Sequence, residues 1–276
     1  MFVPDLFEQV PSEVRAGLGD ALHAEWTKQR TLPGTIWLLA ATTLLSIAVG
    51  TAAIAATTCR AGNSCPVDPT KLSLTGIQAG QAVVAILTVL AVSGEYSTGM
   101  IRTTLAAVPG RVTVLAAKAI AVTAPVLVAG ATAVLGSLYA GRLLLPGHGF
   151  TPAHGFAAVS LADGPVLRAA TGSVLYLALI ALLALGAAAA IRDTAVAIGL
   201  VLGLLYLFPV IAAAAANPHW QRHLDQIGPM TAGLDIQATT NLHTLAISPW
   251  AGLGILAAWA TTALVTGGLL LHYRDA

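Results

Sequence analysis

The sequence predicts an all-α polytopic membrane protein with six transmembrane helices, and three observations carry that prediction. Of 276 residues, 57% are hydrophobic and only 9% are charged, with a mean hydropathy of +0.81, well beyond an ordinary globular domain. Long stretches carry no charge at all: Leu72–Ser93 and Ala119–Gly141 contain no Asp, Glu, Lys or Arg, and about 20 such residues cross a bilayer as a helix. These runs are Ala-, Leu- and Val-rich, without the period-two alternation of a barrel strand. A formal net charge of +1 gives no reason to expect a nucleic-acid partner.

In chain order, residues 1–34 form a cytoplasmic segment and 35–276 the membrane domain. The first residues, MFVPDLFEQVPSEV, carry Asp5, Glu8 and Glu13 where a signal peptide has a basic region, so no cleaved leader is expected. Ser12–Arg30 reads as an amphipathic helix. Ser12 serves as its N-cap, and Val14, Leu18, Leu22 and Trp26 recur every fourth residue as one apolar stripe. A helix of that kind lies in the membrane interface, and Pro33-Gly34 ends it before the first span.

The spans are expected at Thr35–Thr57, Leu74–Ser93, Val112–Ala140, Leu167–Ile191, Thr194–Ala216 and Trp250–Leu271, with boundary errors of about 2–4 residues. Pro125 and Pro209 are candidate kinks in the third and fifth. Phe150–Gly164 is apolar but broken by Pro and Gly, and reads as an interfacial loop with a short helix. Six spans place both termini on one side. Lys and Arg near the span ends put that side, together with Gly94–Arg111, in the cytoplasm of a plasma-membrane protein. The loops 58–73, 142–166 and 217–249 then face outward. Cys59 and Cys65 lie together in the first of these, in CRAGNSC, where an oxidising exterior favours a bridge over two free thiols or a metal contact.

Catalytic motifs are absent from the sequence. None of the three lysines, Lys28, Lys71 and Lys118, follows a glycine, so there is no Gly-Lys-Ser/Thr phosphate loop. There is likewise no nucleophile elbow and no zinc-protease helix. The chain is therefore not expected to be an enzyme or to carry a cofactor or metal of its own. His219 and His223 have the i, i+4 spacing of a metal pair, with Asp225 nearby, but a polar loop after Asn217-Pro218 reads more simply as solvated histidines. Lys118 and Arg168 sit near span ends, where their stems can snorkel, and the span centres hold no ionisable relay. Gln78 and Gln81 share one face of the second span. They read as pathway or dimer-seam amides, or equally as an ordinary interhelical contact.

Gly94–Arg111, GEYSTGMIRTTLAAVPGR, is a charged island between two charge-free runs. Glu95, Arg102 and Arg111 would each cost about 2.5–3.5 kcal/mol at the bilayer centre, so the island belongs at a surface. Within it Ser97–Val108 reads as a short helix, capped by Ser97, with Ile101, Leu105 and Val108 as an apolar stripe and Pro109-Gly110 as the stop. Glu95 is placed just before that helix, where its N-terminus favours a carboxylate. Held between two spans, such a helix suits docking to a partner better than mere connection.

Three blocks, EWTKQRTLPGTIW, GEYSTGMIRTTLAAVPGRVTVLAAK and SPWAG with LLLHYRDA, resemble the ABC-2-type transporter permeases of actinobacteria, over about Leu22 to Ala276. The resemblance implies a six-span exporter subunit that pairs with a second permease copy and docks a separate ATP-binding-cassette ATPase, which would hold ATP and Mg. It further implies that Ser12–Arg30 is the interfacial connecting helix and Ser97–Val108 the coupling helix. Glu95, Tyr96, Ser97, Thr98, Gly99, Met100, Ile101 and Arg102 match the family block. Substrate class is not legible, although an apolar pathway suits a hydrophobic or amphipathic compound. The rival readings are a secondary transporter without a buried relay, and a non-transporting sensor or immunity subunit.

Overall fold

The computed structural model describes residues 17–59, 67–97, 99–100, 110–215 and 217–274. Among these there is no strand, and six helices are long and apolar enough to cross a membrane. The chain runs α1 (Leu18–Thr31), α2 (Pro33–Ala56), α3 (Pro69–Ser73), α4 (Ile77–Ser97), α5 (Arg111–Leu144), α6 (Gly164–Ile191), α7 (Thr194–Ala214), α8 (Pro218–Ile227), α9 (Pro229–Leu234) and α10 (Pro249–Arg274), with short 3₁₀ turns between. The candidate spans are α2, α4, α5, α6, α7 and α10, each within a few residues of its predicted position. α5 runs without a break through Pro125, and α7 through Pro209.

Four of the six spans begin at residues suited to a helix start. Pro33, Pro249 and Pro165 stand in first turns, where a missing N–H costs nothing. Asp193 caps α7 by accepting from the Val196 N–H at 2.9 Å.

α6 is the axis of the bundle and packs against α4, α5, α7 and α10. Its contact with α10, and the seam between α2 and α4 beside it, are built from small residues. A Cβ on Gly186 would fall 2.3 Å from the Ala263 carbonyl carbon of α10, so only glycine permits that approach. Between α2 and α4, the row Thr42, Ser46, Gly50 and Ile54 is buried at four-residue spacing. A Cβ on Gly76, in the turn before α4, would sit 1.7 Å from the Ser46 carbonyl oxygen, and one on Gly80 2.3 Å from Ser46 Oγ. Membrane helices, which gain no hydrophobic drive from packing on each other, associate through such close approach. Outward faces are apolar, with Trp37 and Leu44 of α2 and Val210 of α7 largely exposed, as a lipid-facing surface requires.

The two ends of the bundle differ. At the near end lie α1, the end of α4, the start of α5, the α6–α7 turn and the end of α10. At the far end lie α3, the segment 145–163 and the segment 217–248. The far end is less aqueous than the sequence suggests. α9 and the turn after it insert against α6, α7 and α10, burying Met230, Leu234, Ile236 and Gln237. The stretch is too short and mixed to register as a span, and its packing on neighbours such as Tyr176 and Leu256 hides it from solvent.

Candidate functional site

The near end concentrates the charge of the molecule inside protein. α1 docks through the row Ala21, Glu25 and Gln29, all buried. Leu22 packs on Val114 and Ala117 of α5. The apolar stripe expected to define this helix is therefore split: Leu18 and Trp26 point outward and are more than 40% exposed, while Val14 lies outside the described residues.

Four charges meet beneath α1. The Lys118 ammonium donates to Glu25 Oε1 at 2.6 Å and also to Glu95. Lys28 donates to the same Glu95 carboxylate and reaches the Ala91 carbonyl at 3.4 Å. Side-chain exposure is 3% for Glu95, 6% for Lys118, 11% for Glu25 and 23% for Lys28. Two acids and two bases balance, which is the condition under which charges can leave water without a large net penalty. Three elements, α1, α4 and α5, are thereby tied at one point.

α4 continues past the expected span end at Ser93 to Ser97, so Glu95 occupies its last turn. A helix C-terminus disfavours a carboxylate, and the two lysines supply the compensation. Lys118 is not snorkelled to water, since its partners lie inside: the sequence shows charges near span ends but not which ones face one another across helices.

The residues beside Glu95 are held as firmly. The Arg192 guanidinium lies over the Tyr96 ring, 5.3 Å from its centroid. Arg192 itself ends α6 in the left-handed conformation, φ 65°. Thr194 Oγ1 donates to Ser93 Oγ at 2.8 Å, linking the start of α7 to the same turn of α4. At the other end of the island, Arg111 donates to the Leu271 carbonyl at 2.8 Å and to the His272 carbonyl, capping α10. Gly99 and Met100 are exposed, Gly99 with φ 73°. Thr98, Ile101, Arg102 and Leu105, with most of the expected coupling helix, lie outside the described residues.

Other predicted residues fall elsewhere. Gln81 is fully buried, accepting from the Tyr176 hydroxyl and donating to Met230 Sδ at 3.0 Å, so its amide is satisfied within one chain. Gln78 is half-buried, and its backbone carbonyl accepts from Tyr206 at 2.6 Å. Cys59 is disulfide-bonded, and the one other cysteine, Cys65, lies outside the described residues. His219 and His223 stack edge to face on exposed α8, with centroids 4.5 Å apart. Among the described residues no three His, Cys, Asp or Glu side chains converge as metal ligands.

The far end has a smaller polar junction that sequence reasoning missed. Asp68 caps α3 through the Thr70 and Lys71 N–H groups and also accepts from Thr239 Oγ1 at 2.8 Å and Thr240 N–H at 3.0 Å. Lys71 faces Asp235 at 3.7 Å. The signal for the near-end cluster was present: Lys118 lies inside an apolar run, and Glu95 is the only acid between Asp68 and Asp163. Comparison of the sequence with models of known families and with curated proteins gives no match.

Proposed function

We propose that this chain is the permease subunit of an ATP-driven exporter of the ABC-2 type, pairing with a second permease copy and docking a separate ATPase. The observation that carries the proposal is the ionic junction of Glu25, Lys28, Glu95 and Lys118. It joins an interfacial helix to both helices that flank the segment 98–110. A force applied to that segment by a partner would reach α1, α4 and α5 together, and through Tyr96–Arg192 the α6–α7 turn. Both termini and the segment are then cytoplasmic, in line with the Lys and Arg distribution. The exported compound is apolar or amphipathic in this reading, because the span centres carry no fixed charge.

An ion-driven carrier would draw on the same four charges, but as a titrating relay. Such relays stand near the bilayer midplane and bind the coupling ion, whereas this cluster lies at span ends and is neutralised from within. The discriminating experiment is purification of the chain from its native membrane under mild conditions. The proposal expects a second, span-free subunit that hydrolyses ATP at a fixed ratio to the chain. Recovery of the chain alone, active in transport without ATP, would count for the carrier.

A further inference from the structure

From the far end of α5 we infer that the protein holds an anionic phospholipid at a built groove centred on Arg142. A cavity of about 430 Å³ opens there between the last turns of α5 and the segment 159–162. Leu135 and Tyr139 form one wall, Val159 and Leu161 the other, and Arg142 stands at the rim beside Ser160. Arg142 is exposed and takes part in none of the ion pairs among the described residues, Asp163 just beyond the groove included.

Depth and shape both point to a lipid. Lys118 and Arg142 are roughly 36 Å apart along a helix rising 1.5 Å per residue, a little more than the roughly 30 Å of a bilayer's hydrocarbon. With Lys118 at one headgroup level, Arg142 is at the other. Val128, Leu135 and Tyr139 form an exposed apolar stripe on α5 that runs into the groove, so an acyl chain lying along it brings its phosphate to the guanidinium. Arginine offers a planar fork that matches a phosphate through two parallel N–H donors. Ser160 Oγ accepts from the Ala162 N–H at 3.3 Å and keeps its own proton to donate to the same headgroup. Tyr139 sits at the depth where aromatic residues favour the interface. This inference requires only that the bundle is membrane-embedded and does not depend on an ATPase partner.

The test is native mass spectrometry of the full chain, delipidated and then exposed to phosphatidylglycerol or to phosphatidylcholine with the same acyl chains. Retention of phosphatidylglycerol over phosphatidylcholine should be about tenfold, the scale of one charge-assisted bidentate contact. Arg142→Ala should remove that preference, and Arg142→Lys should restore part of it. Ala162→Trp, which fills the groove and leaves Arg142 in place, should also lower retention. Arg222→Ala, on exposed α8, should change nothing. Equal retention of the two lipids, no loss in Arg142→Ala, or an equal loss in Arg222→Ala overturns the inference. Loss in Arg142→Ala with full retention in Ala162→Trp overturns the groove, since a surface arginine alone would then suffice.

Discussion

Lys118 begins two turns inside α5 and ends between two carboxylates, and its energetics follow from that position. An ammonium buried at 6% side-chain exposure tolerates loss of its partners poorly, and the partners tolerate loss of the ammonium no better. Breaking a buried pair by deleting one member costs about 3–5 kcal/mol. Lys118→Met should therefore lower thermal stability in detergent sharply. The double variant Lys118→Met with Glu95→Gln, which removes one charge of each sign, should recover much of the loss. A single variant no less stable than the double would show that the cluster is not a coupled unit. Asp235, at the far end, behaves in the opposite sense. Burial holds its carboxyl above the ordinary value of 3.8, although Lys71 pulls it down, while Asp225 adds to the rise. An acid whose pKa is higher folded than unfolded binds more protons in the native state. Its contribution is therefore most favourable at low pH and declines as pH rises from about 3.8 through the raised value. Asp235→Asn should flatten that part of the stability profile, and an unchanged slope would contradict the assignment.

Helices were more legible than the junctions between them. The six spans follow from charge-free runs because the bilayer forbids charge over about 20 residues, and no tertiary contact can override that. α3 and the inserted stretch around Met230 escaped, since neither is long or apolar enough to stand out and both are buried only by neighbours. Glu95 was visible as a site residue, but its partners Lys28 and Lys118 were not. α4 runs past the end of the charge-free stretch, through Gly94, to Ser97. The seam between α2 and α4 depends on the turn that enters α4. Gly76→Val would drive two methyl groups into the Ser46 carbonyl, already 1.7 Å from the position of a Cβ. Separation of the two helices should follow, with loss of monodisperse protein, whereas Gly34→Ala, with open space around its Cβ position, should be tolerated. Wild-type behaviour of Gly76→Val would refute the close approach.

At the scale of the whole molecule, one end is tied by charge and the other by backbone caps, with a small-residue bundle between. α1, α4, α5 and the α6–α7 turn converge on Glu95 and Tyr96, and Arg111 fastens the start of α5 to the end of α10. Five of the six spans, all but α2, are thus linked through the residues that flank 98–110. Under the proposed function, residues 98–110 receive the stroke of an ATP-hydrolysing partner that docks there, and this convergence would distribute it. The decisive measurement is how tightly that partner, purified separately, binds the chain carrying Leu105→Asn. An apolar anchor of this size contributes about 1.5–3 kcal/mol when buried, so the account predicts binding weaker by about ten- to a hundredfold, with the variant still inserted and as stable as wild type. Undiminished binding to Leu105→Asn, or no binding to the wild-type chain, would contradict it.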